Sequence, residues 1–312
     1  MYYYINLMNQ SDVLIIGAGV AGLSAGLYAA RSGMKVYILD EAGAGGQVLQ
    51  INDLENYPGV FPAVNGTDLI KTMETQAETF GVKIIQTSVT SIDKKGNFYS
   101  VKTSSDEYSA PAVVIATGAD HSKLNVPGEA EFTGRGVSYC AICDGPFFKN
   151  KNVCVIGGGD SACTEALYLA DIASHVDLIH RRDQLRTQKT NADKVFANEK
   201  ISVHFDSIVK QINGSSKVES LTLENVKTGE KSDLPTDGVF IFVGMVPRTG
   251  LLEILPKDDA GYILTNEKME TAIPGLFVAG DVRSKPLRQI VTATSDGAIA
   301  GFAAAEYVKS LI

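Results

Sequence analysis

Asp12-Val-Leu-Ile-Ile-Gly-Ala-Gly-Val-Ala-Gly22 joins a short apolar run to the pattern Gly17-x-Gly19-x-x-Gly22, and the residues that follow read as a helix to about Ser32. Lys35-Val-Tyr-Ile-Leu39 is a second apolar run and ends on Asp40. Strand, glycine turn, helix and strand in this order form a βαβ unit. The first glycine permits the tight turn, the second lets backbone approach a pyrophosphate, and the third lets helix pack on strand. The helix N-terminus adds unpaired N–H groups and partial positive charge. Asp40, at the tip of the second strand, is placed to accept hydrogen bonds from a ribose 2′-OH. A dinucleotide site is expected here.

The plan returns downstream. Asn152-Val-Cys-Val-Ile156 is a strand, Gly157-Gly-Gly-Asp-Ser-Ala162 a turn, Ser161 to Asp171 a helix, and Val176-Asp-Leu-Ile179 the next strand. Asp40 and His180 hold the same place relative to Gly17 and Gly157, so an internal duplication is expected. The second copy differs where it matters. Ala162 replaces the third glycine, and the strand tip reads His180-Arg181-Arg182, with Arg186 beyond. A carboxylate there would repel a 2′-phosphate, whereas guanidinium groups bind one through charge-assisted hydrogen bonds. This site is expected to prefer NADP over NAD. His180 is not expected to act as a general base, because neighbouring cations disfavour its protonated form.

Working outward, Thr67 to Phe80 reads as a helix stopped by Gly81, and Ala44 to Gly59 as loop. Lys83 to Tyr108 alternates as antiparallel strands, and Val113-Val-Ile-Ala116 is a buried strand closed by Thr117-Gly118. In the second copy, alternating segments run from Ile201 to Glu224, and Val239-Phe-Ile-Phe-Val243 is closed by Gly244. From Pro247 the chain holds Pro274-Gly-Leu-Phe-Val-Ala-Gly-Asp281 and a last helix from about Gln289 to Lys309. That section is too small for its own core and completes the first unit. The expected fold is α/β, with two Rossmann-like domains, each a three-layer parallel-sheet unit with a β-meander, the second inserted in the first. The crossings fall near Gly118 and Gly244 to Arg248.

The 312 residues suit two domains, and 45% hydrophobic with 21% charged residues is the balance of a soluble globular chain. A net charge of −8 argues against generic nucleic-acid binding. No apolar stretch reaches the roughly 18 residues a membrane helix needs. Met1 to Met8 lacks the basic region and cleavage site of a signal peptide, Met8 is an alternative start, and the cytoplasm is the default compartment.

Four cysteines in such a chain do not form a disulfide scaffold. Cys140-Ala-Ile-Cys143-Asp144-Gly145 has the spacing of a reversible disulfide. If it opens a helix, the first thiol's pKa falls, and Asp144 can pass the proton that exchange requires. Zinc is the main alternative, but a tetrahedral site needs two more ligands. Cys154 lies in an apolar strand and Cys163 on the next helix, where both read as packing residues. No metal is expected. Gly45-Gly46-Gln47 and Glu55-Asn56-Tyr-Pro-Gly59 are turn-rich, and Asp281 ends a buried strand where it can reach a cofactor's polyol.

Two nucleotide motifs with Cys-x-x-Cys-Asp-Gly between them resemble the low-molecular-weight thioredoxin reductases, from about Ser11 onward. The match includes Gly45-Gly-Gln47, Glu55-Asn-Tyr-Pro-Gly59, Ala116-Thr-Gly-Ala119, Gly157-Gly-Gly-Asp-Ser-Ala162, His180-Arg-Arg-Asp183 with Arg186, Gly280-Asp281 and Arg288-Gln289. The resemblance implies FAD at the first site, using Gly17, Gly19, Gly22, Asp40, Gly46, Gln47, Asn56, Gly118, Gly280, Asp281, Arg288 and Gln289. It implies NADPH at the second, using Gly157, Gly159, Asp160, Ser161, His180, Arg181, Arg182 and Arg186. Residues 1–118 and 247–312 would be the FAD-binding domain, and 119–246 the NADPH-binding domain carrying the Cys pair. Hydride would pass to flavin, then electrons to Cys140–Cys143, then to thioredoxin by exchange. Cys143 would face the flavin, Cys140 attack the partner and Asp144 handle the proton, in a homodimer. Departures are few: Val20 for a commoner Pro, Ile142 between the cysteines, and Thr187 for Ala.

Other readings use the same residues. A flavin-dependent dithiol oxidase would have no need of the arginine cluster, and some ferredoxin-linked relatives lack it, whereas this chain keeps it. A non-catalytic nucleotide-binding regulator would have no need of the intact Cys-x-x-Cys-Asp.

Overall fold

The computed structural model describes residues 9–51, 54 and 56–311, so the readings placed on Met1 to Met8 and on Glu55 lie outside it. The chain forms two compact units. One comprises the described residues up to Asp120 and those from Pro247 onward, and the other is His121–Val246.

In the first unit, Leu276–Val278, Ala112–Ile115, Val13–Ile16, Val36–Asp40 and Lys83–Gln86 lie side by side as a parallel sheet. Parallel strands covered on both faces are apolar throughout, and the alternation of Val13–Ile16 shows why. Val13 and Ile15 enter the core under the helices Val20–Arg31, Gly66–Thr79 and Ile290–Lys309, while Leu14 and Ile16 enter the core under the antiparallel meander. That meander is Val89–Lys95, Phe98–Thr103 and Glu107–Ala110. The three layers are therefore helices, parallel sheet and meander.

Two helices of this unit approach to backbone contact. A Cβ at Gly297 would sit 2.1 Å from the Ala21 carbonyl oxygen, and one at Gly301 would sit 2.1 Å from that of Ala25. The C-terminal helix thus lies directly against the helix that follows the first glycine turn.

The second unit repeats the plan. Ile201–His204, His175–Ile179, Asn152–Ile156, Gly238–Ile241 and Val137–Ser138 form its parallel sheet. Ser207–Gly214, Val218–Asn225 and Lys231–Pro235 form its meander. Val153 and Val155 face the helix Asp160–Ile172, whereas Cys154 and Ile156 face the meander side.

Two expectations change. Lys83–Gln86 pairs parallel with Val36–Asp40 and is the sheet's edge, not the first strand of the meander. Ile201–His204 does the same beside His175–Ile179. Each follows a helix, and a right-handed crossover delivers it to the open sheet edge. Period-two alternation describes a half-buried edge strand as well as a meander strand, so pattern alone did not separate them. The meander also has a third strand, Lys231–Pro235, beyond the alternating stretch recognised.

Candidate functional site

In the first unit the glycine turn is forced by its surroundings. Gly17 has φ +104°, and a Cβ there would lie 2.4 Å from the Ala116 carbonyl oxygen. At Gly22 a Cβ would lie 1.8 Å from the Gly17 carbonyl oxygen, so the close helix–strand contact admits no side chain. Above Gly19 the space is open, with Gly45 O as the nearest atom at 3.9 Å, and the helix start carries no side-chain cap. An open cradle with uncapped N–H groups suits an oxyanion such as a pyrophosphate. Asp40 also shapes the turn: one carboxylate oxygen accepts from Ala18 N–H and the other from Ala42 N–H, each at 2.8 Å.

The remaining residues expected here converge in part. Gln47 donates its side-chain amide to Ala119 O, and Asn56 Nδ2 lies 3.3 Å from Gln289 Oε1. Gln289 caps the C-terminal helix in a reciprocal box with Thr292. The Arg288 guanidinium lies 3.7 Å from the Tyr262 ring centre, and its Nε is buried without a partner among the described residues. Gly118 accepts from Arg248 N–H at 3.0 Å, and the Arg248 guanidinium grips Asp120 at 2.8 and 2.7 Å.

Asp281 rests on residues the sequence reading did not pick out. Lys285 Nζ, only 4% exposed, stands 3.0 Å from Asp281 and 3.2 Å from Asp296. Asp296 also takes Arg283 at 3.1 Å and the Gly280 N–H at 3.2 Å. Removing one partner from an ion pair at this depth costs about 3–5 kcal/mol. An exposed pair such as Lys71–Glu74 contributes under about 1 kcal/mol. The buried cluster therefore fixes the Asp281 turn. The available signal was Asp296, an acid inside an otherwise small and apolar helical run.

In the second unit, Gly157 N–H donates to Ile179 O at 3.0 Å, as Gly17 N–H donates to Leu39 O at 2.9 Å. Gly159 has open space around it, and the helix it starts has no side-chain cap. His180 is buried, with its ring packed where a Cβ on Gly158 would fall, 2.2 Å from Nδ1. Burial first, and then the charges of Arg182, Arg181 and Arg186, hold the imidazole pKa down. The three arginines are exposed, and none is ion-paired among the described residues. The acids nearby, Asp183 and Asp206, pair with Lys227 instead. Ser161 is exposed in the first turn of the helix. Asp160 is committed elsewhere: its Oδ1 accepts from Thr187 Oγ1 at 2.6 Å and from Gln188 N–H at 2.9 Å. That contact, with Arg186 N–H on Gly158 O at 2.6 Å, folds the arginine segment back onto the glycine turn.

The Cys pair is a disulfide, with Cα atoms 5.3 Å apart. It follows the edge strand Val137–Ser138. Cys140 is extended and caps the short helical turn Ala141–Asp144, where Cys143 N–H donates to its sulfur at 3.2 Å. The Asp144 carboxyl accepts the Ser138 hydroxyl at 2.6 Å. Burial raises its proton affinity and that hydrogen bond opposes the rise. Cys154 and Cys163 are free and fully buried, in the cores on opposite faces of the sheet, and burial pushes the Cys154 thiol up to about 12. Neither can join a ligand set with Cys140 and Cys143.

Glu165 also escaped the sequence reading. Its Oε2 is buried without a partner among the described residues, and burial pushes the carboxyl from 4.5 up to about 7. A carboxyl whose folded pKa is raised gives its full stability below the unfolded value, and this is lost as pH rises through about 7. Glu165→Gln is expected to melt like the parent at about pH 4 and to gain about 1–2 kcal/mol at about pH 8, after allowance for partial exposure. A pH-independent difference in melting curves would assign the change to packing instead.

A model of the pyridine nucleotide-disulphide oxidoreductase family matches residues 11–297. The chain is 49% identical over 300 residues to a thioredoxin reductase of Treponema pallidum, covering 96% of this chain and 98% of that one. It is 46% identical to one of Listeria monocytogenes, covering 96% and 94%. The crystal structure of thioredoxin reductase from Streptococcus pyogenes superposes with a TM-score of 0.89 at 48% identity, covering 97% of this chain and 99% of that one.

Proposed function

Because the chain belongs to the pyridine nucleotide-disulphide oxidoreductase family and is an enzyme of its thioredoxin reductase group, we propose that the first unit holds FAD, the second holds NADPH, and the Cys140–Cys143 pair delivers the electrons to thioredoxin. The observation that carries this reading is the disulfide itself, set in a turn with a half-buried acid and in the same unit as an arginine-tipped nucleotide turn. Bound FAD would supply two-electron exchange between a nicotinamide and a disulfide.

The cradle of Gly17, Gly19, Gly22 and Gly46 would take the flavin nucleotide's pyrophosphate and Asp40 its ribose. Asp281, Arg288 and Gln289 would take the rest, with Gln47, Asn56 and Gly118 beside them. Gly157, Gly159 and Ser161 would take the NADPH pyrophosphate, with Asp160 bracing the turn. Arg181, Arg182 and Arg186 would hold the 2′-phosphate over the buried His180.

In the exchange itself, the Cys140 thiolate attacks the partner's disulfide and forms one new S–S bond, and the displaced partner sulfur takes a proton from Asp144. The Cys143 thiolate then attacks Cys140, which restores the Cys140–Cys143 bond and releases the dithiol. The N–H of Cys143 is directed at the Cys140 sulfur of the disulfide, and the same contact in the reduced pair would favour the thiolate. Among the described residues no helix is long and apolar enough to cross a membrane. Homodimeric assembly follows from the family resemblance. Two free cysteines beside one redox pair fit the reducing cytoplasm.

The test is anaerobic. The protein purified with FAD is mixed with NADPH or NADH, and its absorbance near about 450 nm, the general flavin band, is followed before and after oxidised thioredoxin is added. Bleaching by NADPH and recovery on adding thioredoxin are expected. Absence of bleaching with either nucleotide would overturn the reading.

A further inference from the structure

We propose that Ser138 is a positioning residue of the exchange centre, holding the Asp144 carboxyl against the backbone of Cys140. The inference rests on the role given above to Asp144. Ser138 is buried on the edge strand Val137–Ser138, two residues before the cysteine. Its oxygen lies 2.6 Å from Asp144 Oδ2, accepts the Cys140 N–H at 3.1 Å, and is 3.3 Å from Cys140 O. A hydroxyl has one proton to give. The short contact to a carboxylate takes it, since that distance is typical of O–H···O⁻ bonds, and one of the oxygen's two lone pairs accepts the Cys140 N–H. One side chain therefore ties the proton-handling group to the residue that attacks.

The tie also sets where Asp144 titrates. Burial favours the protonated acid, and the Ser138 hydroxyl is what opposes it. No charged neighbour competes for that role. On the same turn Cys140 and Cys143 are joined as a disulfide and carry no proton to titrate. Tyr139 donates to Glu129 at 2.8 Å, away from Asp144. The helix Asp160–Ile172 packs Tyr168 and Leu169 on Gly145 and carries Glu165 a turn earlier, while Lys149 follows the turn Gly145–Phe148. Among the described residues Ser138 alone hydrogen-bonds the Asp144 side chain. A hydroxyl that stabilises the carboxylate keeps the acid from holding its proton too tightly to surrender it to a leaving sulfur.

The experiment uses the full holoenzyme and compares wild type, Ser138→Ala, Ser138→Thr and Asp144→Asn. The infrared carboxyl band missing from Asp144→Asn is titrated in the oxidised enzymes, and thioredoxin reduction is followed against pH. Ser138→Ala is expected to raise the midpoint of that band and the alkaline limb of the rate profile by about one pH unit. Ser138→Thr, which keeps the hydroxyl, is expected to restore both. A Ser138→Ala infrared titration that superimposes on wild type overturns the inference, whatever the rates do. A rate profile unchanged in Asp144→Asn instead overturns the role given to Asp144, and the infrared titration still decides whether Ser138 sets its proton affinity.

Discussion

Cys140→Ser and Cys143→Ser each lose thioredoxin reduction by about 10³-fold or more, because a serine hydroxyl neither forms a disulfide nor ionises near neutral pH. Both are expected to keep bound FAD and its bleaching by NADPH, since the glycine cradle around Gly17 and Gly22 belongs to the other unit. The two variants should still differ. Cys143→Ser retains the attacking thiol but not the resolving one, so it should accumulate a covalent adduct with oxidised thioredoxin, visible on a non-reducing gel. Cys140→Ser should form no such adduct by that route. The expected effect is large because Cys154 and Cys163 offer no substitute: both are fully buried, and burial pushes their thiols up. Full disulfide reduction by either variant would overturn the assigned exchange.

The double variant Arg181→Ala with Arg182→Ala is expected to raise KM for NADPH by roughly 10²-fold and to change KM for NADH by less than about threefold. A charge-assisted hydrogen bond contributes roughly 1.5–3 kcal/mol, and the lower end applies to side chains as exposed as these. The structure supports a selective effect. Asp160 with Thr187 and Gln188, and Gly158 with Arg186, hold the segment through contacts that do not use the guanidinium groups of Arg181 or Arg182. Their removal should therefore leave the turn folded and the shared part of the nucleotide bound. Steady-state kinetics with both nucleotides decides the matter, and an unchanged ratio of the two constants would remove the reason for reading the cluster as a 2′-phosphate site.

Much of this architecture was legible in the chain because its motifs join local backbone requirements to chemistry. Gly17 and Gly22 are dictated by contacts of 2.4 and 1.8 Å that any side chain would violate, so the turn is written in the residue type. The equivalence of Asp40 and His180 exposed the duplication, and the change in charge between them is the reason for reading two different nucleotide preferences. What was hidden depends on distant partners. Lys285 and Asp296 are eleven residues apart and acquire meaning only when the helix from Ile290 brings them together. Ser138 matters because the turn at Cys140 returns the chain to it, and Glu165 because the fold buries it without a partner. Edge strands were misplaced for the same reason: Lys83–Gln86 is defined by the strand it pairs with rather than by its own alternation.

The contact of Gly297 and Gly301 with the Ala21 and Ala25 carbonyls has a consequence for biosynthesis. A helix emerging early from the ribosome can pack on its sheet and on the helix Gly66–Thr79, but the part of its surface around Ala21 and Ala25 must wait for a helix made much later. The continuous stretch His121–Val246 has its whole sheet in hand well before then. Domains generally fold as units during synthesis, so the inserted unit can mature while the enclosing one is still an open half. The last helix then acts as the closing stitch, and a nascent chain stalled before Gly297 would expose the Val20–Arg31 surface to chaperones and proteases.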